Sequence, residues 1–238
     1  MINLKQLAKI PKNKILVFDL EHTGFAPPRN ELLQFSAVWA DGTVAANIYV
    51  RPTKSKKWKR TTEIHHITPE MVKDCPRINK VRPLIQQLFK QAKVIVGYST
   101  KDDMSVFKTS YIRMPDPTKC MYVDISIPFI DIYGDKMEDG KKFLRRSLQK
   151  CAAFYGYTGD GWHNSLVDAE ATAFCFNKML ENGDLGYVSK NRLALEKKPK
   201  TTQPKMKGSK TLRKKKQERQ RVRNKKMNNK KAVEKAKT

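Results

Sequence analysis

Phe18-Asp19-Leu20-Glu21-His22-Thr23-Gly24 closes the apolar run Ile15-Leu16-Val17-Phe18, and the whole reads as a short buried strand running into a polar turn. Side chains alternate across a strand, so Ile15, Val17, Asp19 and Glu21 share one face. That face begins apolar and ends in two carboxylates about 7 Å apart along the strand, two residues at ~3.3 Å each. Like charges so placed repel, and burying either alone is costly. A divalent cation resolves the conflict, and hard oxygen donors suit magnesium or manganese. An Asp-x-Glu pair also ends strands that hold no metal, so the rest of the chain has to decide.

Working outward, residues 32–40 and 43–50 read as two more strands, joined by the hairpin signal Asp41-Gly42. The Pro27-Pro28 loop separates them from the first strand. Residues 51–62 read as a lysine-rich loop around Trp58, which either stacks on a base or anchors the loop against the core. Thr68-Pro69 has the pattern of a helix N-cap followed by proline at the first helical position. His65 and His66 have no cysteine or carboxylate at zinc-finger spacing, so they are structural or substrate-facing. A helix is expected over 83–93, a second buried strand at Val94-Ile95-Val96-Gly97 and a helix over 100–112. A short strand at 121–124, an irregular stretch over 129–140 and helices over 143–155 and 164–182 follow, the last two closed by Gly156 and Gly183. Strands first, then strands alternating with helices, predict an α/β fold with a mixed sheet flanked by helices.

Two further acidic positions follow this framework. After the second buried strand come Asp102 and Asp103. If Ser99 caps the helix, Asp102 completes a capping-box-like pattern and has a local role. Asp103 lies about 100° further round the helix and is free to face inward, which makes it the better ligand candidate. In His163-Asn164-Ser165-Leu166-Val167-Asp168, either Asn164 or Ser165 can cap the last helix, and Asp168 then sits in its first turn. That helix carries apolar residues on more than one side, so it is buried and Asp168 must meet other groups. His163 precedes it, where an imidazole can reach a reacting water.

The chain of 238 residues has a net charge of +26, and the excess is uneven. Residues 197–238 hold 19 Lys/Arg against two Asp/Glu, whereas residues 1–196 carry a net +9. We therefore expect a folded domain over 1–190 and a basic, disordered nucleic-acid-binding tail over 191–238. Such a balance favours polyanions. Cys75, Cys120, Cys151 and Cys175 form no CxxC pair and fit a reducing compartment. No apolar run approaches the ~18 residues of a membrane span, and no signal peptide is evident. The expectation is an intracellular, cytoplasmic protein, with the nucleus as the alternative in a eukaryote, and no membrane partner.

Together these residues resemble the DEDDh branch of the DEDD superfamily of 3′–5′ exonucleases, the group of the bacterial proofreading subunit, ribonuclease T and oligoribonuclease. The first family motif, Phe-Asp-Leu-Glu-x-Thr-Gly, stands at residues 18–24. The His-Gly-Ile-Thr-x-Glu-Met segment stands at 65–71, with His66 replacing its glycine. The third motif, His-x4-Asp-Ala-x-Ala-Thr, is matched from His163 to Thr172. The second keeps only Gly97 and the final Asp103, and its departures at Tyr98, Ser99 and Asp102 leave Asp102 and Asp103 as alternatives. The resemblance covers about residues 13–182. It implies a ribonuclease H-like fold and two divalent cations, Mg2+ or Mn2+, held by Asp19, Glu21, Asp103 and Asp168. His163 would be the general base, and Thr23, Phe25 and His65 would contact substrate. The implied reaction releases nucleoside 5′-monophosphates from the 3′ end of single-stranded DNA or RNA, alone or within a polymerase or other nucleic-acid complex. The competing reading is a non-catalytic nucleic-acid- or ribosome-binding protein on a nuclease-like fold. The full acidic set with its histidine favours the enzyme, since binding alone does not need carboxylates facing a phosphate backbone.

Overall fold

Alternation along β1 (Ile15–His22) sends Ile15, Val17, Asp19 and Glu21 to one side of a sheet and Leu16, Phe18 and Leu20 to the other. The structure, a computed structural model, describes residues 4–25, 29–133 and 146–186. β1 pairs antiparallel with β2 (Leu32–Trp39), and β2 antiparallel with β3 (Val44–Tyr49). On the other side of β1 lies β4 (Val94–Gly97), parallel to it, and beyond that β5 (Met121–Asp124), parallel to β4. The order β3-β2-β1-β4-β5 is the mixed sheet expected, three antiparallel strands and then parallel ones. The Asp41-Gly42 turn closes as its chemistry dictates: Gly42 takes a φ of +94°, and the Asp41 carboxylate accepts the Thr43 N–H.

The helices are α1 (Leu4–Leu7), α2 (Lys59–His65), α3 (Pro69–Val72), α4 (Ile78–Gln91), α5 (Lys101–Thr109), α6 (Ser126–Tyr133), α7 (Leu148–Phe154) and α8 (Ser165–Asn182). They pack so that β1 has a core on each face. Ile15 and Val17 meet Ala169, Ala173 and Phe176 of α8. Leu16, Phe18 and Leu20 meet Val81, Ile85 and Phe89 of α4 with Val106 and Phe107 of α5. Phe18, Phe35, Phe89 and Phe107 form one aromatic cluster there, with Phe18 and Phe107 ring centroids 5.2 Å apart. The carboxylate-bearing face of β1 is therefore the one α8 covers.

Several local expectations change. Trp58 is buried and its indole Nε1 donates to the Ile67 carbonyl at 2.8 Å, so it anchors the loop and does not offer a stacking face. The loop ends there, because α2 begins at Lys59. α4 starts five residues before Pro83 and runs through it. Pro83 sits early in the helix and is exposed, so the one carbonyl it leaves without a partner can turn to water. Its apolar stripe is consequently Val81, Ile85, Leu88 and Phe89, with Leu84 exposed. Residues 129–133, expected irregular, belong to α6. The helix expected from 143 begins at Leu148, capped by the Ser147 hydroxyl, which accepts the Lys150 N–H. Thr68 caps α3 as expected, and Gly183 closes α8 at a φ of +79°. The two prolines, the rest of the irregular stretch at 134–140, residues 143–145 and the basic tail lie outside the described residues. No helix among the described residues is long and apolar enough to cross a membrane.

Candidate active site

The site gathers where β1, α5 and α8 meet. Asp19 and Glu21 project from β1, opposite Ser36 and Gln34 of β2. A register shift follows between Glu21 and His22 and ends regular pairing at the second carboxylate. Asp168 comes from the first turn of α8, its N–H donating to the Asn164 carbonyl at 2.9 Å. One carboxylate oxygen each of Asp19, Glu21 and Asp168 lie within 4.8 Å of one another.

The start of α8 is held by a polar stripe across the same sheet face. Gln34 Nε2 donates to Asn47 Oδ1 at 3.0 Å and to Asn164 Oδ1 at 3.3 Å. The hydroxyls of Ser36 and Ser165 lie 2.7 Å apart and fully buried. Asn164 is the N-cap, accepting the Leu166 N–H at 3.0 Å, which leaves Ser165 inside the helix and fastened to β2. Such buried polar groups stay only where they are satisfied, so the stripe fixes the depth at which Asp168 enters the site.

Asp103 arrives by a different route. β4 ends at Gly97, where an added Cβ would collide with the Thr100 methyl and meet the Phe18 ring at 3.4 Å. The chain then turns through Ser99 at a φ of +58°, and α5 begins after Thr100. The capping box expected from Ser99 to Asp102 does not form. Asp124, at the end of β5, takes the capping role instead. Its carboxylate accepts the N–H of Ser99 and of Thr100, both at 2.9 Å, and the Thr100 hydroxyl at 3.2 Å. It also holds the Ser126 hydroxyl at 2.6 Å and so ties the start of α5 to the start of α6. Asp124 was not singled out from sequence, where it is merely the last residue of a short strand. Asp102 is exposed and acts on His22, whereas Asp103 is half-buried and its charge reaches Asp19 and Glu21.

Electrostatics show four carboxyls that cannot all ionise without a counter-charge. Burial, then the charges of Asp103, Glu21 and Asp168, push Asp19 far above the usual carboxylate range. Burial, then Asp168 and Asp103, lift Glu21 to about 9. Burial, then Asp102 and Asp124, lift Asp103 to about 8. Asp168 rises only to about 6, because the charge and backbone N–H of His163 partly offset its burial. Asp168 Oδ1 is buried with no hydrogen-bond partner. An all-oxygen donor set, mutual repulsion and an orphaned carboxylate oxygen are what a hard divalent cation satisfies.

His163 lies on the loop just before α8, exposed, at a φ of +65° that few non-glycine residues adopt. Thr23 donates its N–H to the Glu31 carbonyl and its hydroxyl accepts the Glu31 N–H, both at 3.0 Å, so it clamps the exit of β1 to the entry of β2. Phe25 is 58% exposed, with the Arg60 guanidinium 5.6 Å from its ring centroid. His65 is buried, its Nδ1 accepts the Ile67 N–H at 3.1 Å, and its ring lies against the His22 backbone. Burial lowers it to about 4, so it is neutral at physiological pH. Of its two readings, these surroundings support the structural one: it braces the strand end that carries Glu21.

Comparison with known proteins agrees with this geometry. Residues 16–176 match the RNase_T family model, described as exonuclease. The DNA polymerase III PolC-type of Clostridium perfringens is 28% identical over 181 residues, covering 73% of this chain and 12% of the polymerase. The chain thus spans about an eighth of that relative, and the Staphylococcus aureus counterpart, 26% identical, is covered to the same 12%. Among solved structures, a 3′-exonuclease with 3′-end specific recognition of a histone mRNA stem-loop superimposes with a TM-score of 0.57 at 18% identity, covering 76% of this chain and 70% of that one. E. coli Exonuclease I in complex with a dA16 oligonucleotide does so with a TM-score of 0.58 at 19% identity, covering 71% and 40%. The fold is ribonuclease H-like.

Proposed function

The chain belongs to the DEDD exonuclease family, and on that premise we propose that it removes nucleoside 5′-monophosphates from the 3′ end of single-stranded nucleic acid. The observation that carries the proposal is the convergence of Asp19, Glu21 and Asp168 within 4.8 Å, with the charge of Asp103 bearing on the same point. In this reading the four carboxylates hold two divalent cations, Mg2+ or Mn2+. When bound, such ions supply Lewis-acid stabilisation of the leaving oxygen and a nucleophilic water at neutral pH.

The protein's own part is positioning and proton transfer. His163, held beside Asp168, accepts the proton of the attacking water, for which imidazole is suited near neutral pH. A base so placed contributes typically ~10²–10⁴-fold. Its place on an exposed loop leaves it free to approach a bound phosphodiester. Thr23 and the neighbouring backbone hold the terminal nucleotide, and exposed Phe25 offers a ring for its base. The basic tail adds sequence-independent attraction to phosphates.

The test is degradation of 3′-labelled single strands by wild type and Asp19→Ala, in magnesium and in chelator. Release of labelled mononucleotide by wild type in magnesium alone is expected. Equal behaviour of wild type and Asp19→Ala would remove the enzymatic reading and leave a binding protein. Matched DNA and RNA oligomers in the same assay identify the natural sugar, which depends on contacts to the 2′-hydroxyl.

A further inference from the structure

A cavity with charged residues in its wall opens on the other side of the sheet from the carboxylates, among the start of β2, the end of β3, α4 and the end of α5. It encloses about 550 Å3. Four cations line it, Arg29, Arg51, Lys54 and Arg82. The acid among them, Glu31, is already engaged: its carboxylate accepts the backbone N–H groups of Thr53 at 2.7 Å, Lys54 at 3.0 Å and Ser55 at 2.6 Å. The Nε atoms of Arg51 and Arg82 are both buried and have no hydrogen-bond partner. Both arginines line the cavity, so an anion there meets their charge although each Nε itself is covered. Arg51 is also oriented, since its Nη1 donates to the Lys73 carbonyl at 2.6 Å. Beside these cations stands Tyr111, at a φ of +55° and 75% exposed, with the Arg82 guanidinium 5.8 Å from its ring centroid.

Cations around a cavity with one exposed aromatic ring are what a single-stranded nucleic acid needs, phosphates on the charges and a base on the ring. The cavity also adjoins the candidate active site. Its Leu32 pairs across the sheet with His22, the neighbour of Glu21. Its Glu31 and Ser55 both hydrogen-bond Thr23 Oγ1, at 3.0 Å and 3.4 Å. We propose that this cleft binds the same strand a few nucleotides upstream of its 3′ end, after it crosses the rim formed by Thr23 and Ser55. The proposal rests on the exonuclease reading and adds a second contact that only longer substrates reach.

The test compares the full chain with a Lys54→Gln/Arg82→Gln/Tyr111→Ala variant, leaving Arg51 to hold Lys73. Binding of an oligothymidylate is followed by fluorescence anisotropy over a range of salt, both proteins being silenced by Asp19→Asn. The variant should bind about tenfold more weakly, as expected for loss of one stacked base and two phosphate contacts, and its salt slope should fall by about 1.4. In the active background, turnover of a dinucleotide should be unchanged while KM for the long strand rises. With Tyr111→Ala kept, Lys54 retained and Arg82→Lys in place of Arg82→Gln, the slope should recover but not the whole affinity. Unchanged affinity and slope would overturn the proposal, as would an equal loss on dinucleotide and long strand, which would place the effect in the active site. A mononucleotide competing as well as the oligomer would also overturn it. Normal strand binding by a protein inactive on every substrate would instead strike the exonuclease reading and leave the cleft standing.

Discussion

Replacing Glu21 by glutamine should make the metal-free protein more stable while abolishing its activity. The Glu21 carboxyl is held at about 9 in the folded chain against 4.5 for the free group, chiefly by burial and then by Asp168 and Asp103. A group whose pKa is raised by folding contributes fully below its unfolded value, and that contribution is lost as pH rises toward the folded one. At pH 7 the folded state therefore holds a proton that the unfolded chain releases, a penalty of ~3 kcal/mol at about 1.4 kcal/mol per pH unit. Water entry and side-chain relaxation reduce this, so ~1–3 kcal/mol of stabilisation is expected from Glu21→Gln in chelator. In a chain of this size that corresponds to ~3–8 °C in Tm. The assay is thermal unfolding by circular dichroism in chelator, for wild type and variant, at pH 5, 7 and 8. The advantage should be small at pH 5 and should grow with pH. Adding magnesium should reverse the order, because a cation that binds only the folded state stabilises the protein with the complete carboxylate set more. A variant no more stable than wild type in chelator at pH 7, or an advantage that ignores pH, would refute the argument that these carboxyls repel one another in a shared site.

His163→Ala should lower kcat by ~10²–10⁴-fold while leaving metal affinity, read by calorimetry, nearly unchanged, because in the proposed reading the four carboxylates and not His163 hold the cations. Asp124→Asn should cost ~1–3 kcal/mol in urea unfolding, since its carboxylate serves the donors of Ser99, Thr100 and Ser126. It should also weaken metal binding, because α5 then no longer holds Asp103 in place; undiminished metal affinity would show that Asp103 is positioned some other way. Deleting residues 191–238 should weaken binding to long strands and flatten its salt dependence while sparing dinucleotide turnover, and lost dinucleotide turnover would contradict that role.

Local chemistry made much of this legible from the residues alone. Alternation on β1 put Asp19 and Glu21 on one face, because a strand's side-chain period is two. Thr68-Pro69 and Asp41-Gly42 announced their cap and turn, because the relevant hydrogen bonds span only a few residues. Asn164 and Ser165 were both plausible caps, since either hydroxyl or amide can serve; contact between Ser165 and Ser36 of β2, 129 residues away, chose Asn164. The same kind of distance hid Asp124, whose partners Ser99 and Thr100 lie 24 or 25 residues earlier. Pro83 misled because its cost is a local one that burial of Val81, Ile85 and Phe89 outweighs. Trp58 was ambiguous for the same reason: an indole among lysines suits solvent or core until the Ile67 carbonyl is seen to receive its N–H.

By itself the sequence determined that Asp19 and Glu21 share one face of a strand and that Asp168 opens a buried helix, since both follow from residue type and short-range spacing. Tertiary structure alone decided that Asp103 and not Asp102 bears on Asp19, that Asp168 enters beside Glu21, and that a basic cleft lies behind them. Those outcomes depend on helix rotation and strand order, which are set by packing between residues far apart in the chain.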